Sequence, residues 1–418
     1  MRKFAIIFTA SLIAGALIFQ GCSKKKKYYY IPDDEPSDEV EVVHIGVLAS
    51  LTGNWNTLGV TSHEAVDIAL DEINKYLKHQ EADFVFDDVV YDTKLDADLA
   101  LKYMAEAKSK GVTFIIGPQS SAEAGAVKDY ADKNDMIVIS QGSTAGSLSI
   151  AGDNLFRFCP ADDVEGKAMA NYMHAEGIRS LVTLARNDAG NLGLQLATGA
   201  AFQDLGGTVI AQNAYSTEET DFTATLNALK TELDNLLEHQ PATEVAVYLA
   251  SFDECVDLFK MAAGMDPVFA AVRWFGGDGT ALSAVLLSDN QAAAFAHAVN
   301  YQTPAYGLPT GNSPSHSNIP VAEVIEARTG IKPDAFALAA YDATWVAAMS
   351  YFQSRTTTEK PVFDTLYANF VKKANSYTGI TGSTKLNAAG DRATGSYDMW
   401  GLVEKNGGYV WEIKGKAE

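Results

Sequence analysis

The chain has 418 residues, 47% apolar and 20% charged, with a formal net charge of −21. That length exceeds one ordinary domain, and the composition can bury proper cores, so a disordered chain is excluded and two lobes are expected. The acidity excludes nucleic acid as a partner, since such surfaces are rich in Lys and Arg.

Arg2 and Lys3 precede an apolar stretch, residues 4–19, and Gly21-Cys22 follows. The stretch falls short of the roughly 20 residues that span a bilayer, so residues 1–21 read as a removed signal peptide. Cys22 after Gly21 resembles the lipobox of bacterial lipoproteins, although Phe19 and Gln20 stand where Leu and a small residue are usual. The resemblance implies lipidation at Cys22 and residence in the periplasm or cell envelope, anchored to a membrane. Ordinary cleavage and a retained anchor are the alternatives. Residues 22–42 form a tether: lysines 24–27 and tyrosines 28–30 suit a headgroup region, and acidic residues follow from Asp33. Loss of Arg2 and Lys3 with the leader takes the charge from −21 to −23.

Strands and helices then alternate, which is the pattern of parallel α/β layers. Strands are expected at residues 44–49, 84–91, 112–117 and 136–140, with helices at 62–77, 96–110 and 120–133 between them. Ala65, Ile68, Ala69 and Ile73 mark one face of the first helix. A second series has strands at 180–185, 208–215, 244–249 and 271–276. Its helices fall at 193–205, 221–237, 253–264 and 280–288. Helices at 334–351 and 361–375 follow, then strands at 395–403 and 408–413 joined by a turn through Asn406-Gly407.

Small and hydroxyl residues sit at three strand ends: Thr52-Gly53-Asn54-Trp55, Gly117-Pro118-Gln119-Ser120-Ser121 and Ser140-Gln141-Gly142-Ser143-Thr144. In a parallel sheet these ends share one edge, where open α/β sheets bind ligands. Ser120 or Ser121 caps a helix whose free N–H groups favour a carboxylate. Thr144 adds a hydroxyl, Ser143 stands beside it, and Gly142 lets a ligand reach backbone. Each motif alone is equally well explained as capping or turn chemistry. The second series contributes Phe252-Asp253, the loop from Arg186 to Asn191, and Asp278 between Gly277 and Gly279. Asp278 could pair with a ligand ammonium or cap the next helix. Trp55 and Leu58 could touch an apolar part of a ligand or simply pack.

HIGVLASLTG, EAVDIALDEIN, FIIGPQSS, VISQGSTAG and WFGGDGT together resemble the leucine/isoleucine/valine-binding-protein family, the type I periplasmic solute-binding proteins of amino-acid ABC transporters. The resemblance runs from about residue 43 to the end. It implies two Rossmann-like lobes joined by a three-crossover hinge: residues 43–158 plus 306–378, and residues 159–305 plus 379–418. It also implies that Ser120 or Ser121 and Thr144 hold an α-carboxylate, that Gly142 offers its carbonyl to the amine, and that Asp278 pairs with the ammonium in place of the family's Glu. Two positions depart from the family: Gly190 or Asn191 replaces an aromatic residue, and Phe252 replaces a tyrosine.

The expected function is capture of an amino acid or similar small zwitterion and its delivery to an ABC permease by a monomer tethered to the membrane. A ligand sensor of the same fold signalling to a membrane partner is the alternative. The loops match neither G-x-G-x-x-G nor a P-loop, the seven histidines show no metal spacing, and no nucleophile elbow or Cys/His pairing occurs. No enzyme, metal or cofactor is therefore expected. Besides Cys22 there are only Cys159 and Cys255, which could bond or be two buried thiols.

Overall fold

A computed structural model describes residues 40–307, 320–355 and 360–417. The leader, Cys22 and nearly all of the tether lie outside the described residues. From Glu41 onward the described residues form one compact unit.

The first sheet is wholly parallel, in the order β2 (Phe84–Asp92), β1 (Glu41–Ala49), β3 (Phe114–Ile116), β4 (Ile137–Ser140), β5 (Leu155–Arg157). Its connecting helices are α1 (Asn56–His79), α2 (Ala97–Ser109) and α3 (Ser121–Lys133). β3 and β4 are buried at every residue, as strands covered on both faces must be. Helix α1 begins at Asn56, six residues before the periodic stretch suggests. Its first turn presses on the end of β1: a Cβ at Gly59 would stand 1.9 Å from the Ser50 carbonyl oxygen.

The chain then passes through α4 (Asp162–Ala175) into a second sheet, whose strands include β6 (Ser180–Arg186), β7 (Thr208–Tyr215), β8 (Val245–Ala250) and β9 (Arg273–Gly276). The intervening helices are α5 (Ala189–Asp204), α6 (Thr223–Leu237), α7 (Cys255–Met265), α8 (Val268–Ala271), α9 (Ala284–Ser288) and α10 (Asn290–Ala298). The helix expected at 280–288 is instead a tight turn at Asp278–Thr280 followed by α9. Leu282, at φ 57°, interrupts helical backbone between them. β10 (Gln302–Tyr306) ends this pass.

The return to the first lobe supplies α11 (Pro320–Thr329), α12 (Ala335–Ser354) and α13 (Phe363–Ala374). Helix α12 is apolar on nearly all sides because it is buried against α1. A small hairpin, β11 (Thr378–Gly379) and β12 (Gly382–Ser383), follows. Arg157 donates its N–H to Gly390 and accepts from Arg392, so residues 390–392 still run along β5. The last crossing ends in β13 (Tyr397–Lys405) and β14 (Gly408–Ala417). They complete the second sheet in the order β14-β13-β10-β9-β8-β6-β7. Asn406 and Gly407 both have positive φ, as a two-residue hairpin turn requires. The protein is thus two α/β lobes with parallel central sheets, between which the chain crosses three times.

Among the described residues, no helix is long and apolar enough to cross a membrane. Cys159 and Cys255 are two separate buried thiols.

Candidate functional site

The carboxyl ends of β1, β3 and β4 face those of β6, β8 and β9 across a narrow cleft. It is lined by Trp55, Ser120, Ser121, Gly142, Thr144, Gly190, Asn191, Leu194, Phe252 and Asp278. Eight of the nine positions singled out from sequence therefore meet in one cavity. The ninth, Ser143, lies behind the wall, where its hydroxyl donates to Ser121 Oγ at 3.1 Å.

On the first wall, Ser120 caps α3. Its Oγ accepts from Glu123 N and donates to Glu123 Oε2, so this hydroxyl is committed to the helix. Ser121 differs: its Oγ accepts from Ala145 N and from Ser143, both at 3.1 Å, which leaves its own proton to donate. Gly142 is tightly surrounded: a Cβ there would crowd Gln119 O at 3.0 Å and Leu58 at 3.2 Å. Arg157 fixes the loop carrying Thr144, donating to Ala145 O at 2.7 Å and Ser143 O at 3.4 Å.

On the second wall, Asp188 caps α5 and takes both the backbone and side-chain N–H of Asn191. Asp278 occupies the tight turn after β9. Thr303 and Thr280 hydroxyls pin the Gly277 carbonyl at 2.5 and 3.2 Å. Gly277 and Gly279 permit this close approach: a Cβ on either would come within 2.6 Å of Leu194 or of Ser251 O. Asp278 is 7% exposed, and its Oδ2 has no hydrogen-bond partner among the described residues.

The walls also bind each other. Asn54 donates to Glu254 Oε2 at 2.7 Å and accepts from Asp253 N at 2.9 Å. Trp55 N donates to Asp253 Oδ2 at 2.9 Å, and the Trp55 ring stacks on Phe252 with centroids 4.4 Å apart. Trp55 adopts left-handed backbone, φ 56°, to make these contacts. This is a closed cleft. Sequence reasoning found Trp55 and Phe252 but not the Asn54 contacts, which join residues about 200 positions apart.

Two further acids stand near Asp278 that motif reading missed, Asp162 and Glu165 on α4. Both are buried, and burial pushes Asp162 up to about 7. Elsewhere, His63 of α1 lies 3.1 Å from Asp88 Oδ2 on β2 and 3.9 Å from Asp67 Oδ1. Histidine spacing gave no sign of this cluster because Asp88 comes from another element.

With the site in view, comparison with known proteins places the chain in a class of ligand-binding folds. Residues 61–405 match the family model described as the receptor family ligand binding region. The chain belongs to that family. It is 24% identical over 422 residues to the uncharacterized protein MJ1266 of Methanocaldococcus jannaschii, covering 98% of this chain and 96% of the other. Its fold is similar to that of a leucine binding protein, LivK, from Thermotoga maritima, with TM-score 0.71, 21% identity, and 90% and 99% of the two chains covered. It is also similar to a solute-binding protein of an R. palustris ABC transporter in complex with benzoate, with TM-score 0.67, 19% identity, and coverage of 90% and 97%.

Proposed function

We propose that the protein is an extracytoplasmic solute-binding protein that captures an amino acid between its lobes and presents it to an ABC importer, held to the membrane through Cys22. The observation that carries this reading is the polarity of one cavity. The Ser121 hydroxyl and the start of α3 stand on one wall, and an acid without a basic partner stands on the other. Hydroxyls and a helix N-terminus suit a carboxylate, and Asp278 suits an ammonium.

Asp278 also separates two ligand classes met on this fold. A benzoate-like acid brings no cation and would leave a buried carboxylate uncompensated, which is costly. A zwitterion neutralises it. Binding then draws the lobes together by favouring the closed state over the open one.

The test is a thermal-shift screen of the L-amino acids, each compared with its deaminated acid and its decarboxylated amine. Bound ligand raises Tm by mass action. The amino acids alone stabilise if the reading holds; stabilisation by benzoate or by a deaminated acid to the same degree rejects it.

A further inference from the structure

Behind Asp278 lies an acid that the ligand reading does not use. Glu165 is wholly enclosed; its Oε1 accepts the Asp278 backbone N–H at 3.1 Å, while its Oε2 has no donor among the described residues. Asp278 Oδ2 is in the same position, and the 3.1 Å backbone contact sets the two carboxyl groups side by side. The groups that bear on the pair are Asp162 on the same helix, Tyr248 of β8, Tyr397 of β13, Asp334 before α12, and Cys159. None of these is a cation. Arg157, which lies near Asp162 and Cys159, is already committed to Asp391, Ser149 and the Ala145 carbonyl.

Two carboxyl groups in contact without a cation cannot both ionise, so the pair holds one proton. Depth decides where. Glu165 is sealed behind the wall, whereas Asp278 is 7% exposed and borders the cleft, so a charge costs less on Asp278 than on Glu165. Glu165 Oε1 already accepts an N–H, leaving its Oε2–H to donate. Burial and the two neighbouring aspartates also raise the Glu165 carboxyl well above the usual range, and its hydrogen bond counteracts the rise at Asp278.

We propose that Glu165 is a positioning residue for the ligand site: it keeps a proton and donates it to Asp278, so that Asp278 alone is the anion offered to an ammonium. This rests on the amino-acid reading above and adds a residue to it. Proton placement makes the site a single negative charge in a defined orientation, matched to a single positive one.

Two measurements test it. In infrared spectra of ligand-free protein at neutral pH, the difference between wild type and Glu165→Gln contains a protonated-carboxyl C=O band; its absence overturns the proposal. In calorimetry with L-leucine, L-alanine and glycine, Glu165→Gln binds as wild type does, because its amide accepts and donates in the same two directions. Glu165→Leu weakens binding about tenfold or more. Equal loss in both variants, or none in Glu165→Leu, overturns it. If wild type binds none of the three, the amino-acid reading is what falls, while the infrared band still decides the proton.

Discussion

Arg157 Nε lies 2.5 Å from Asp391 Oδ1, joining residues 234 positions apart, both sealed from solvent. The remaining Arg157 hydrogens reach Ser149 Oγ and the Ala145 and Ser143 carbonyls, and Ser149 donates back to Asp391. One ion pair therefore ties the final crossing segment to β5 and to the loop that holds Thr144.

Removing one partner leaves the other charged and buried. Asp391→Ala is expected to cost about 3–5 kcal/mol of stability, read by chemical denaturation. A loss below 1 kcal/mol, on the scale of about that of an exposed pair, rules out this anchoring role.

Asn54 bridges the walls with hydrogen bonds to Glu254 and Asp253. Asn54→Ala shifts the balance toward the open form and weakens ligand binding by about 1–3 kcal/mol. Small-angle scattering should report a larger radius of gyration at the same ligand concentration. An unchanged radius and affinity would remove Asn54 from the closure.

Asp278→Asn removes the cleft anion without changing side-chain shape. Binding of a zwitterionic amino acid weakens by about 1.5–3 kcal/mol, with ligand-free Tm not reduced. Thr144→Ala costs about 1–3 kcal/mol if its hydroxyl holds the carboxylate. Full affinity in calorimetry for either variant excludes that residue from the site.

Neither carboxylate oxygen of Asp162 has a hydrogen-bond partner of good geometry, and burial raises the group to about 7. The unfolded value is near 3.9. The folded chain thus holds a proton that the unfolded chain releases. The stabilisation is complete below about pH 4 and is lost as pH rises through about 7. Asp162→Asn carries no such loss, so its advantage over wild type in ligand-free unfolding grows between pH 5 and pH 8, by on the order of 1–3 kcal/mol. A constant difference across that range would show that Asp162 does not titrate there.

Periodicity made β1 to β4 and β6 to β9 legible, along with most helices between them, because buried parallel strands and amphipathic helices follow from apolar spacing alone. Helix α4 was not legible: it opens at Ala161 with no side-chain cap, and Gly166 interrupts its apolar face. With α4 went Asp162 and Glu165. β10 was hidden by Pro304, which argues against a strand, although it pairs with β13 along its length. The strand ends lining the cleft could be read because glycine and hydroxyl residues there contrast with the apolar strands. The bonds that shut the cleft could not, since tertiary pairing between distant loops leaves no local pattern.

The indole of Trp55 meets the phenyl ring of Phe252 only because the two walls touch. Separation of the lobes would wet that indole, whereas Trp274 stays sealed inside the second core. The chain accordingly carries an intrinsic optical gauge, in which a red shift of tryptophan emission reports opening without any attached dye.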